Sequence, residues 1–124
     1  MNSNISSRAS LERAADGLPI AATLHRADTF VSQMRGLIGW EIALGEALLL
    51  TTRPPVHTAF MRYPIDAAFV AASDGDRWRV LRVETLLPWR VSSFVLGANA
   101  VIEMRAGSAL TQLRAGDTLV RVVR

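Results

Sequence analysis

The stretch IDAAFVAASDGDRWRVLRVE, residues 65 to 84, constrains the fold more than any other part of the chain. Two apolar runs flank Asp74 and Gly75, and an Asp-Gly pair readily takes the positive φ angles that a two-residue hairpin turn needs. A turn there predicts Ala72 opposite Arg77, Ala71 opposite Trp78, Val70 opposite Arg79 and Phe69 opposite Val80. Most positions on both faces of this pair are apolar. That pattern suits strands covered on two sides or rolled into a small barrel.

Other segments repeat the theme. PIAATLHRA reads as one strand, EALLLTT as a second and VHTAFM as a third, while NAVIEMRAG and TLVRVV close the chain as strands. Between VHTAFM and IDAAFVAA stands Pro64, which lacks a backbone donor and forces a corner. Two short helices are expected. One is capped by Asp28 or Thr29 and runs to about Ile38, with Phe30, Met34 and Leu37 on one face; the other, SALTQLR, is capped by Ser108 and stopped by Gly116. Strands that follow strands without regular helical crossovers imply a mainly β or α+β fold, a compact, mostly antiparallel, barrel-like domain with two short helices.

At 124 residues the chain is the size of one domain, and 50% hydrophobic with 20% charged residues is a globular composition. Residues 18–124 read as that domain. Residues 1–17 are polar and read as a flexible tail with at most a helical turn around Leu11 to Ala15. The absence of cysteine excludes disulfides, thiolate metal sites and cysteine nucleophiles. All 14 basic residues are arginine, so the pI near 10.9 overstates a net charge of only +3. No apolar window is long enough for a membrane span and no secretory leader is visible, which predicts a cytoplasmic location unless a signal has been trimmed.

The ordered set MRGLIG, FMRYPIDAAFV, the Asp74-Gly75 turn, PWR, AVIEMRAG and AGD resembles the uncharacterised bacterial and archaeal family called domain of unknown function 192, over roughly Ala21 to Val120. The central family motif is matched by Phe60, Met61, Arg62, Ile65 and Asp66. The resemblance also picks out Gly36, Leu37, Glu103, Gly107, Gly116 and Asp117. It implies a compact, barrel-like β fold and no assigned activity.

Several side chains could carry chemistry. His57 with Asp66 or Glu103 has the makings of an acid and base pair, and Arg62 could hold an anion. Against this, Asp66 at the start of an apolar strand reads equally as a buried carboxylate held by Arg62 or by backbone N–H groups. Asp117 follows Gly116 in a turn and is expected to bond local backbone N–H groups. His25 and His57 lack metal-ligand spacing, no serine sits in a nucleophile elbow and no phosphate loop is present, so neither metal nor cofactor is expected.

The favoured reading is a noncatalytic binding or accessory domain with a polar corner around Arg62 and Asp66. Arg62, Asp66, Met61, Arg90 and Trp89 are its candidate ligand-binding residues, for an unidentified small molecule or protein. The alternative is a small hydrolase or isomerase using His57 with Asp66 or Glu103. A third reading, nucleic-acid binding, rests on Arg77, Arg79 and Arg82 near Trp78 and on Arg90 beside Trp89. It is opposed by the low net charge and by Asp74, Asp76 and Glu84 around the hairpin.

Overall fold

The computed structural model describes residues 9–27, 42–58 and 61–123. Among these residues eight strands form one sheet: β1 (Ala9–Arg13), β2 (Pro19–Ala21), β3 (Thr23–Ala27), β4 (Glu46–Leu50), β5 (Ile65–Asp74), β6 (Arg77–Leu86), β7 (Ala100–Arg105) and β8 (Thr118–Val123). Their order across the sheet is β2-β1-β8-β6-β5-β7-β4-β3. Every pairing is antiparallel except that of β3 with β4.

The fold is thus mainly β and mostly antiparallel, and the sheet is open rather than a closed barrel. It nevertheless curls. Its two edge strands are joined by Ala22 alone, and two residues of extended chain reach only about 7 Å. The edges must therefore approach one another at that corner, and β1 lies against β3 there.

Curling gives the sheet an inner face that every strand lines. Leu11, Ile20, Leu24, Leu49, Val70, Trp78, Val80, Ile102, Met104 and Leu119 pack there with Leu110 and Leu113. A smaller cluster of Met61, Ile65, Ala67, Phe69, Leu86, Ala98 and Val101 lies on the outer face of β5, β6 and β7. The hairpin is thus buried on both sides, as its composition requires.

The details depart from expectation in several places. The hairpin turns at Gly75 and Asp76, so Asp74 pairs with Arg77, Ala72 with Trp78 and Val70 with Val80. Irregularities between Ala72 and Asp74 and between Phe69 and Val70 shift the register. Each inserts an extra residue on one strand, and this swings Trp78 and Val80 onto the inner face with Val70. PIAATLHRA is two strands on opposite edges, and among the described residues of VHTAFM, His57 makes an isolated bridge to Val91.

The amino-terminal segment is not a tail from Ala9 onward. Leu11 is fully buried, and β1 pairs with both β2 and β8. No α-helix occurs among the described residues. The helix expected over SALTQLR is a 3-10 turn, Ala109–Gln112, capped by the Ser108 side chain, which accepts from the Leu110 N–H. The helix expected from Asp28 to Ile38 lies outside the described residues.

Candidate functional site

Asp66 begins on β5 beside Thr85 of β6 and Met104 of β7, facing the inner core with 0% exposure. Burial of a carboxylate demands donors, and three are supplied. The Thr85 hydroxyl donates to Oδ1 at 2.7 Å, and the Ser108 N–H and hydroxyl donate to Oδ2 at 2.9 and 2.7 Å. Because Ser108 also caps the 3-10 turn, Asp66 ties that turn to the sheet.

Of the two expected holders of Asp66, a backbone N–H is present in that of Ser108, whereas Arg62 is not among its partners. Arg62 is exposed, and it follows Met61 and precedes Tyr63, both of which pack on the outer face. The polar corner expected around Arg62 and Asp66 is therefore divided between the two faces.

The same geometry separates the two candidate carboxylates. Glu103 pairs with Ala67 and shares its face, so Asp66, one residue earlier, points to the opposite side of the sheet. Glu103 is buried on the outer face, flanked by Leu48 on β4 and Ala67 on β5. His57 is exposed on the loop between β4 and β5. Asp66 and Glu103 thus do not converge in one cleft.

What converges instead is a pair of loops over the outer face, residues 51–58 with 61–64 and residues 87–99. Their hub is Thr58, 1% exposed and not singled out by sequence reasoning. Its hydroxyl donates to the Leu87 carbonyl at 2.7 Å and accepts from the Arg90 N–H at 2.8 Å. Its N–H donates to the Arg90 carbonyl at 2.8 Å, and its own carbonyl accepts from Met61 and Trp89 at 3.1 and 3.0 Å. Met61, Trp89 and Arg90 therefore meet around one buried threonine, with Arg62 next in the chain.

A second clamp is Ser92, whose hydroxyl accepts from the Val56 N–H at 2.9 Å while its N–H donates to the Val56 carbonyl at 2.8 Å. A third is Glu84. It accepts from the Ser93 N–H at 3.2 Å and from Arg82 at 2.7 Å. Burial works to raise the Glu84 pKa, but these hydrogen bonds outweigh it and hold the carboxyl below its ordinary range.

Trp89 is the unusual product of this clamping. Its φ is +62°, in the left-handed region that non-glycine residues rarely occupy. Its side chain is 61% exposed, although a tryptophan of a small domain is usually well covered. Such backbone strain persists where surrounding bonds over-determine the conformation, as those from Thr58 do here.

Other features are structural. Arg105 lies 4.0 Å over the Tyr63 ring and donates to the Ile42 carbonyl at 2.8 Å, while the Tyr63 hydroxyl accepts from the Ile42 N–H at 2.7 Å. Asp117 accepts from the Arg114 N–H at 2.9 Å, the local bond expected of it. Gly107 and Gly116 have φ of +89° and +98°, which accounts for glycine at both turns. Trp78 is buried, so the basic hairpin offers no aromatic platform for bases. Among the described residues no group of three His, Asp or Glu side chains is placed to hold a metal ion, and no helix is long and apolar enough to cross a membrane.

No curated protein matches the chain. Two solved structures are similar in fold. One is a protein of unknown function from Novosphingobium aromaticivorans DSM 12444, 21% identical, with a TM-score of 0.65 over 90% of this chain and 82% of the other. The second is a protein from Sinorhizobium meliloti 1021 provisionally named a transcription regulator, 23% identical, with a TM-score of 0.64 over 91% of each chain. At these identities the likeness is one of fold. The sequence profile of the DUF192 family, described as an uncharacterised ACR, matches residues 11–121, and the chain belongs to that family.

Proposed function

We propose that the chain is a noncatalytic binding domain whose contact surface is the Thr58-centred corner of the two outer loops. The observation that carries this reading is Trp89, held in a strained backbone conformation with its indole turned outward. Strain of this kind costs on the order of 1 kcal/mol or more, and it holds in place a tryptophan that is 61% exposed. A ligand that covers the ring gains from burying that apolar surface. Arg90, next to Trp89 in the chain, and Arg62, next to Met61 at the Thr58 hub, suit an anionic or polar group on that ligand.

Asp66 is fully buried on the inner face and bonded to Thr85 and Ser108, whereas His57 is exposed, which supports a binding role over an acid and base pair of His57 with Asp66. The test uses the anionic aromatic dye anilinonaphthalene sulfonate, which combines an apolar ring system with one negative charge. Fluorescence titration of the folded chain should show saturable binding that Trp89→Ala and Arg90→Ala each weaken several-fold, with circular dichroism melts unchanged. Equal dye binding by the wild type and both variants would refute the assignment of this corner.

A further inference from the structure

The two loops carry a charge and apolarity pattern that narrows the ligand. Residues 51–64 and 87–99 contain Arg53, Arg62 and Arg90 and no aspartate or glutamate. With these three of the 14 arginines set aside, the remaining 11 balance the 11 carboxylate residues, so the chain's formal +3 resides in these loops. All three arginines are exposed.

The loop 87–99 is also where exposed apolar side chains collect. Leu87, Trp89, Val91, Phe94 and Leu96 are exposed by 53% to 84%. Their backbone is fixed by Thr58, Ser92 and Glu84 as described above. The loop leaves β6 at Leu86, opposite Ile65, and returns at Asn99, whose N–H donates to the Val70 carbonyl at 3.0 Å. It therefore runs back along roughly 17 Å of β5 over the outer face.

We infer that this ridge docks the protein peripherally on an anionic lipid bilayer, with the apolar side chains entering the interface and the arginines meeting lipid phosphates. The inference rests on the binding corner proposed above and names its partner. Three observations favour a bilayer. Each of the five apolar groups is more than half exposed, and a fluid apolar phase accepts exposed side chains without a matching pocket. Leu87, Val91 and Leu96 are aliphatic and have no π face on which a nucleic-acid base could stack. An exposed tryptophan followed by arginine is the composition of an interfacial anchor, and the +3 carried by these loop segments is drawn to anionic headgroups.

The experiment is flotation of the full chain with vesicles of phosphatidylcholine alone or with about 30 mol% phosphatidylglycerol, at low and high salt. Binding should require the anionic lipid and fall with salt. Trp89→Ala or Phe94→Ala should weaken partitioning about tenfold. Arg62→Gln and Arg90→Gln should weaken it about fivefold each. Circular dichroism melts keep these losses separate from unfolding.

Failure to float with anionic vesicles overturns the inference. So does flotation that the Trp89 and Phe94 variants leave intact. Tight binding of a single-stranded oligonucleotide at these residues without vesicle binding would overturn it in favour of a nucleic-acid partner. Dye binding retained at Trp89 alongside a failure with vesicles would sink the lipid assignment alone, whereas loss of both results would sink the corner as well.

Discussion

Replacing Asp66 by alanine should destabilise the domain by about 2–4 kcal/mol, and the structure shows how that figure arises. The carboxylate accepts three short hydrogen bonds, from Thr85 and twice from Ser108. Bonds to a charged acceptor are worth about 1.5–3 kcal/mol each, and the cost of burying the charge offsets much of that sum. Thr85 is exposed, so its freed hydroxyl turns to water. Ser108 is half-buried, and leaving its N–H without an acceptor costs about 1–3 kcal/mol. The small void on the inner face adds roughly 1 kcal/mol.

For a domain of this size that loss lowers Tm by about 8–16 °C, readable by circular dichroism. A double-mutant cycle sharpens the test. Asp66→Ala and Ser108→Ala should couple by about 1–2 kcal/mol, whereas Asp66→Ala and Arg62→Ala should be additive within about 0.5 kcal/mol. A melt of Asp66→Ala within about 2 °C of wild type, or strong coupling to Arg62, would refute the reasoning.

Three further outcomes are expected. Thr58→Val keeps the volume but strands the Leu87 carbonyl and the Arg90 N–H, and urea titration should show a loss of about 2–4 kcal/mol. Trp89→Gly should leave stability unchanged or raise it by up to about 1 kcal/mol, since glycine accepts the positive φ, while dye binding is lost; a clear fall in Tm would contradict the strain assigned to Trp89. Glu84 has a lowered folded-state pKa, so the stability it contributes is present above the unfolded value of about 4.3 and is lost as pH falls through the folded value. The decline of Tm between about pH 5 and 3 should accordingly be shallower in Glu84→Gln.

Strand content was legible wherever apolar runs met strong turn residues. β4, β5, β6, β7 and β8 follow from EALLL, the hairpin around Gly75, AVIEMR and TLVRVV. The hairpin register was not, because the irregularities beside Ser73 and Leu81 arise from core packing and carry no glycine or proline to mark them. β1 escaped notice since only Leu11 among its polar neighbours looks like core, and its strand conformation depends on pairing with residues more than a hundred positions away. The break at Ala22 is equally silent.

At the site the residue types were informative and their partners were not. Asp66 was recognisable as a carboxylate in need of donors, but Thr85 and Ser108 lie 19 and 42 residues away. A threonine such as Thr58 has nothing in its sequence setting to mark it as a hub. Trp89 was legible as an aromatic beside an arginine, but its left-handed backbone is imposed from across the loops, at a position where glycine would have been the usual sign.

The single residue between β2 and β3 also bears on how the protein behaves in company. Open strand edges invite pairing with a second chain, and proteins guard them by shortening or covering them. Here β2 is only three residues long, and the link through Ala22 turns one rim of the sheet toward the other. An added residue or two beside Ala22 would slacken that tether without touching the core. Self-association through the loosened rims, at unchanged secondary structure, is the defect to expect of such an insertion.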